Sequence, residues 1–212
     1  MTDYLAALLM TYMAFLLAIL SPGPNILGVL NTSLEQGRAA GVQMGVGIAL
    51  GSLTWSTLTV VGLTQYVAQY GVVLQIIKVM GGLYLIFLAY QALKSSMHEG
   101  QRDKGRAEEA QAGSYFLRGY LLMMTNPKAA LAWVAIISLA TFSSSPAWLP
   151  VALIAGTFTI SIVVHVLLAM AFSSKPFAEK YWLCRAGILR GFSAVYGGLG
   201  VKLLSSVRTT GS

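Results

Sequence analysis

The chain has 212 residues, of which 56% are hydrophobic and only 10% are charged, whereas a soluble domain has about 25% charged residues. This composition excludes a soluble globular domain and indicates a protein that lies in a lipid bilayer. Fourteen Lys and Arg against seven Asp and Glu give a net charge of +7, which we interpret as a membrane-orientation signal rather than as nucleic-acid binding.

Hydropathy predicts six apolar segments that are long enough to cross a bilayer, so the predicted fold class is an all-α membrane protein. The predicted spans are Tyr4 to Leu34, Gly41 to Leu63, Gly71 to Leu93, Phe116 to Leu139, Trp148 to Phe172 and Leu189 to Leu204. A signal peptide is a poor interpretation of the first, because the chain opens with Asp3 and no cleavage site follows. Residues 1–212 are predicted to form one transmembrane domain.

The first span is interrupted by the motif Ser21-Pro22-Gly23-Pro24-Asn25. The prolines lack N–H groups, so carbonyls one turn earlier lose their helical partners. A new helix starting near Asn25 would point N–H groups and a positive dipole end into the same gap. The gap then offers carbonyls to an ammonium group and N–H groups to a carboxylate, which suits a zwitterionic amino acid. A simple proline kink is the alternative.

Glycines recur in the second, third and sixth spans at spacings that allow helices to pack closely. The candidate packing residues are Gly41, Gly45, Gly47, Gly51, Gly81, Gly82, Gly197 and Gly198. They could act within the fold or across a homo-oligomer. None forms a phosphate loop, because the required lysine and hydroxyl residue do not follow.

The fourth span is interrupted by Asn126-Pro127-Lys128, which predicts the second half of the same site. Lys128 would meet a substrate carboxylate, and Asn126 would serve as donor and acceptor. The alternative is a helix break with a lysine that reaches the membrane surface. The predicted substrate-binding residues are therefore Pro22, Gly23, Pro24, Asn25, Asn126, Pro127 and Lys128.

The two halves of the chain resemble each other weakly. Proline breaks occur in the first and fourth spans, and Val-Met-Gly-Gly-Leu from Val79 is echoed by Val-Tyr-Gly-Gly-Leu from Val195. Three spans in each half force the second copy to be inverted. We therefore predict an inverted three-plus-three repeat, with residues 1–93 and 115–212 as the halves and 94–114 as a polar loop.

The cations predict the orientation, because Lys and Arg are retained on the cytoplasmic side. They flank the first, third and fifth connections: Arg38; Lys94, Arg102, Lys104, Arg106 and Arg118; Lys175, Lys180, Arg185 and Arg190. The second and fourth connections have none. Both termini are therefore predicted to face the exterior.

No Asp or Glu lies well inside a predicted span, although many proton-coupled carriers use a buried carboxylate. If protons are coupled to transport, the candidate residues are His165, Lys78 and Glu35. His165 is the most interesting because imidazole titrates near neutral pH, although a hydrogen-bonded structural histidine is more common. Lys78 is close enough to an interface to reach it.

Other protein classes find less support. A membrane thiol–disulfide conduit needs two cysteines, but Cys184 is the single one, and it allows no intrachain disulfide or cysteine-containing metal cluster. No nucleophile–base spacing suggests a hydrolase. A channel or scaffold subunit remains the alternative to a carrier. We expect no enzyme activity, cofactor or metal.

The segment SPGPNILGVLNTSLEQGRAAGVQMGVGIALG, Ser21 to Gly51, resembles the N-terminal signature of the LysE/RhtB family of amino-acid exporters. Lys-Val-Met-Gly-Gly-Leu-Tyr-Leu from Lys78 and the Asn-Pro-Lys motif at Asn126 extend the similarity over nearly the full length. One departure is Ala39, where many members have a second arginine.

The resemblance implies a bacterial inner-membrane carrier that expels small amino acids or their derivatives, with protons as the coupling ion. The missing intramembrane acids favour neutral substrates such as threonine, homoserine or leucine over cationic ones. The sequence does not decide among these substrates.

Overall fold

The computed structural model describes residues 2–69, 71–97, 114–126, 128–129, 132–133, 136 and 146–205. Side chains are described for these residues except 2–3, 62–69, 71–74 and 76–78. The helices are α1 (Thr2–Leu20), α2 (Pro24–Gln36), α3 (Arg38–Gln69), α4 (Gly71–Met97), α5 (Tyr115–Thr125), α6 (Trp148–Phe172) and α7 (Lys175–Ser205). The described part contains no strand, which confirms the all-α prediction.

Helices α1 and α2 meet at an angle of 53° across residues 21–23. The last bond of α1 runs from the Ser21 N–H to the Leu17 carbonyl at 3.1 Å, and helical bonding resumes with Leu27 N–H to the Gly23 carbonyl at 3.0 Å. Gly23 has an extended backbone (φ −172°, ψ −173°) and no side chain caps α2. The chain bends here because neither proline can donate the hydrogen bonds that would continue one helix.

Helix α3 lies at the centre and packs against α2, α5 and α6. Its crossing with α5 is close because glycines face backbone: a Cβ on Gly47 would meet the Phe116 carbonyl, and one on Gly119 would meet the Met44 carbonyl. Gly51 faces the Met123 side chain, and a Cβ added to this glycine would lie 2.7 Å from the Met123 Cβ. These contacts fix the depth of α5 against α3 and hence the position of Asn126 just beyond α5.

Helices α4 and α7 form an antiparallel pair. Ser193 donates a hydrogen bond to the Ala89 carbonyl at 2.8 Å, and an added Cβ on Gly82 would lie 2.7 Å from the Leu204 Cγ. The pair has its own apolar cluster, separate from the main core around Phe15, Trp133 and Phe172. It therefore stands as a two-helix unit beside the rest of the fold.

Among the described residues, two helical stretches, Arg38–Val61 and Trp148–Phe172, are long and apolar enough to cross a membrane, and the bent α1–α2 pair is a third when taken as one span. Large apolar side chains such as Leu9, Val151 and Leu167 are more than half exposed, as expected for a surface covered by lipid. The predicted third and sixth spans fall within α4 and α7. The six-span inverted repeat stays a prediction.

Candidate functional site

The amides of Asn25 and Asn126 meet across 101 residues of sequence. Asn126 Nδ2 donates to Asn25 Oδ1 at 3.2 Å, and Asn25 Nδ2 donates to Met123 Sδ at 3.1 Å. The ends of α2 and α5 that adjoin the two predicted breaks are therefore in direct contact. Sequence reasoning placed both asparagines in one site, and the structure brings them together.

Lys128 reaches from the second motif to the first. Its Nζ donates to Ser21 Oγ at 2.9 Å, to the Ser21 carbonyl at 3.2 Å and to the Pro22 carbonyl at 3.4 Å. Gly23 lies against this side chain, since an added Cβ would be 3.1 Å from Lys128 Nζ. The ammonium group thus occupies acceptors that the proline break exposes, where its charge is balanced by carbonyl dipoles.

The backbone and side chain of Asn126 turn the chain so that Lys128 points toward the break. Its backbone is extended (φ −78°, ψ 107°), its Oδ1 accepts from the Lys128 N–H at 3.0 Å, and its carbonyl accepts from the Ala129 N–H at 3.0 Å. This is the pattern of an N-cap residue that starts a new helical turn. Pro127 lies outside the described residues.

Three aromatic side chains support the site, and sequence reasoning missed them. Tyr84 OH donates to the Lys128 carbonyl at 3.1 Å, Tyr196 OH to the Leu17 carbonyl at 3.3 Å, and Trp55 Nε1 to the Met123 carbonyl at 3.3 Å. The two tyrosines adjoin the Gly-Gly-Leu echo of the third and sixth spans, so that echo held a usable signal. Trp55 had none.

Two cavities adjoin Lys128. The smaller has about 40 Å³ and is lined mainly by apolar groups such as Phe15 and Trp133, with both asparagines. The larger has about 290 Å³ and lies between the break and the α4–α7 pair. Ser21, Gly23, Pro24 and Lys128 line both cavities, so the lysine side chain stands where the two spaces approach each other.

The larger cavity extends toward one defined end of the bundle. Tyr115 OH at the start of α5 donates to Gln36 Oε1 at the end of α2, at 3.1 Å, so these two ends are neighbours. The cavity is lined from α2 by Leu27 and from α4 by Gln91, both between the break and that end. The smaller cavity lies on the opposite side, beside the last turns of α1.

Of the candidate coupling residues, His165 and Glu35 do not line either cavity. His165 is 1% exposed, and its Nδ1 is 2.8 Å from the Ser161 carbonyl, which requires the proton on Nδ1. Its Nε2 is buried without a hydrogen-bond partner in the described part of the chain. Glu35 is exposed near the end of α2, and the Lys78 side chain is not described.

The predicted packing glycines divide into two groups. Gly41, Gly45, Gly47, Gly51 and Gly82 face other groups closely: Gly41 meets Ser33 Oγ, and an added Cβ on Gly45 would lie 3.1 Å from the His165 Cβ. Gly81 is buried, and Gly197 makes an ordinary contact with Ala89 at 3.9 Å. Gly198 is exposed with nothing within 4 Å, because it lies on the face of α7 that points away from α4.

Around the break, the site offers the Lys128 cation, the amides of Asn25 and Asn126 and several carbonyls, and no described residue that lines either cavity is Asp or Glu. Within the described ranges, no group of three His, Cys, Asp or Glu side chains could hold a metal ion. Such donors and acceptors suit a small molecule that carries both charges.

Apolar helices around a polar site at a helix break are typical of a membrane transporter. The sequence model of the LysE type translocator family matches residues 16–207 of this chain. The chain belongs to this family and is a transmembrane transporter, not an enzyme.

Curated relatives align over nearly their full length. The uncharacterized membrane protein YahN of Escherichia coli K12 is 29% identical over 202 residues, which cover 95% of this chain and 91% of that protein. The threonine efflux protein of Escherichia coli K12 is 28% identical over 201 residues, with 92% and 95% covered. That of Salmonella typhimurium is 27% identical over 200 residues, with the same coverage. No solved structure matches the chain.

Proposed function

We propose that this protein exports a small neutral amino acid, such as threonine, homoserine or leucine, across the bacterial inner membrane. The observation that carries the proposal is the Lys128 ammonium group held on the Ser21 and Pro22 carbonyls, beside the Asn25–Asn126 pair. Relatives of this chain are named threonine efflux proteins, which supports this substrate class.

In the proposed mechanism, the Lys128 ammonium group occupies the position of the substrate ammonium group when no substrate is bound. The α-ammonium group of an arriving amino acid takes the acceptors at Ser21 and Pro22, and the released lysine pairs with the α-carboxylate. The exchange keeps every charge partnered, because the substrate brings one positive and one negative group. Asn25 and Asn126 then orient the substrate, and Pro24 with Gly23 keeps the backbone groups of the break open to it.

Transport requires the site to open to each side in turn. The proposed topology places both termini outside the cell and residues 94–114 in the cytoplasm, so the larger cavity faces the cytoplasm. The smaller cavity then lies on the path toward the exterior, and this path is closed in the structure. The glycine-rich helices would move against the broken ones, as in other carriers built from inverted repeats.

We further propose that the proton gradient drives export. His165 is the best-supported carrier of the proton, because its Nε2 is buried and has no hydrogen-bond partner among the described residues. Lys78 and Glu35 are the other candidates. A buried acceptor of this kind can take up a proton only when water reaches it, which links protonation to a change in packing between α3 and α6.

The test uses purified protein in liposomes that are loaded with threonine. We expect saturable exchange, and accumulation against a gradient when a pH difference is imposed. Lys128→Met should lower exchange about 10- to 100-fold, since a hydrogen bond to a charged group contributes about 1.5–3 kcal/mol. Lys180→Met, at an exposed position, is the matched control.

Unchanged exchange in correctly inserted Lys128→Met protein would end the assignment of this lysine. Flux that rises linearly with threonine concentration and never exceeds equilibrium would instead identify a channel. Absence of any threonine, homoserine or leucine movement by the unmodified protein would overturn the proposed substrate class.

A further inference from the structure

The larger cavity contains a second cation that the mechanism above does not use. Arg185 of α7 lines this cavity of about 290 Å³ together with Lys128, Gln91 and Ser95. The described lining includes two cations and no Asp or Glu. A cavity of this size with this charge attracts small anionic groups.

One donor of the Arg185 side chain has no acceptor among the described residues. Its Nε is buried without a partner in the part of the chain that the structure describes. The guanidinium lies over the Trp182 ring, with Cζ 5.6 Å from the ring centroid. An aromatic ring covers the flat face of a guanidinium and leaves its edge, where the N–H donors lie, for a planar anion.

The hydroxyl group of Tyr181 also has no hydrogen-bond acceptor among the described residues. Tyr181 precedes Arg185 by one helical turn, and its OH is likewise buried without a partner among the described residues. Residues four apart lie on the same side of a helix. Buried donors are normally paired, so two neighbouring donors without an acceptor among the described residues favour an anionic partner, which only Arg185 could meet in the cavity, since Tyr181 is not part of its described lining.

Arg185 and the break contribute to different parts of the larger cavity. Arg185, Leu189 and Tyr196 all line the larger cavity, so one face of α7 follows it. Tyr196 bonds to Leu17 next to the break, and 11 residues of helix span about 16 Å. The backbone of Arg185 therefore lies about three helical turns from that of Tyr196, and we infer that the two cations mark successive positions along the cavity.

We propose that Arg185 binds the carboxylate of the amino acid on its way to Lys128, forming a first binding position in the larger cavity. This inference rests on the proposed function. The planar guanidinium fork matches a carboxylate with two parallel hydrogen bonds. A free inorganic anion such as phosphate shares part of that chemistry, and the experiment separates the two.

The experiment measures the half-saturating threonine concentration separately on each face of the full-length protein, inserted in liposomes with known orientation. Arg185→Gln should raise this concentration about tenfold or more on the face of the larger cavity, because a charge-assisted hydrogen bond is lost. The value on the opposite face and the rate at saturation should stay unchanged. Arg190→Gln, an exposed cation on the same helix, should behave as the unmodified protein.

An unchanged value on that face, or an equal rise on both faces, overturns the inference. So does inhibition by excess phosphate that Arg185→Gln abolishes without any change for threonine. If Arg185→Gln fails to insert, Arg185→Lys replaces it, with a few-fold rise expected on the same face and no rise as the contradicting result. An unmodified protein that moves no amino acid overturns the proposed function itself, which keeps the two failures distinct.

Discussion

The contact between Asn126 and Asn25 gives a prediction whose size follows from the geometry. Asn126→Ala removes the bond to Asn25 Oδ1 at 3.2 Å and the cap on the Lys128 N–H at 3.0 Å. Side-chain hydrogen bonds within membranes contribute about 0.6 kcal/mol on average and up to about 1.7. Losing two should lower the free energy of unfolding by about 1–3 kcal/mol.

For a chain of this length, each 1 kcal/mol shifts Tm by roughly 2–4 °C, so Tm should fall by about 2–12 °C. The assay is thermal unfolding in detergent, followed by tryptophan fluorescence. Asn31→Ala is the control, because Asn31 is half-buried on α2 outside the site.

A second variant separates stability from transport. Asn126→Asp keeps the acceptor for the Lys128 N–H and so keeps the cap, but it loses the donor to Asn25 Oδ1, and its carboxylate would compete with the substrate for Lys128. We expect Tm closer to that of the unmodified protein and strongly reduced exchange. Equal Tm values for Asn126→Ala and Asn31→Ala would refute the reasoning about the amide pair.

Three more outcomes are expected. Gly119→Ala should greatly reduce the amount of folded protein, because the added Cβ collides with a backbone carbonyl of α3, whereas Gly187→Ala, in open space, should express normally; equal yields would contradict the close crossing. His165→Gln should retain threonine exchange but lose accumulation driven by a pH gradient, and accumulation that survives in the variant would exclude this histidine from coupling. Tyr84→Phe removes the bond to the Lys128 carbonyl and should speed exchange at saturation, as stopped-flow uptake can show; a slower rate would argue for a purely structural role.

The sequence indicates which residues lie near the break better than it indicates how they contact one another. Proline chemistry is local, so the break near Pro22 and the new helix starting at Pro24 can be anticipated from the motif alone. The similar motif at Asn126 indicated a partner for Asn25. Neither observation could show that the Lys128 ammonium lies on the Ser21 and Pro22 carbonyls, because that contact joins side chain and backbone across 107 residues.

Other features depend on how helices rotate about their axes. The glycine pattern treated Gly197 and Gly198 alike, yet only one of them faces α4. Adjacent residues on a helix point about 100° apart, so spacing alone cannot choose between them. Arg185 was interpreted only as an orientation signal, because its position beside a cavity depends on the packing of α4 against α7.

The α4–α7 pair has a consequence for the timing of transport. Two tyrosine hydroxyls, Tyr84 to Lys128 and Tyr196 to Leu17, tie this unit to the site. Breaking both bonds would cost about 1–3 kcal/mol in total. That cost is a small part of the barrier to a millisecond event, so in the proposed transport cycle these two bonds would hold the resting position of the two-helix unit without preventing its movement.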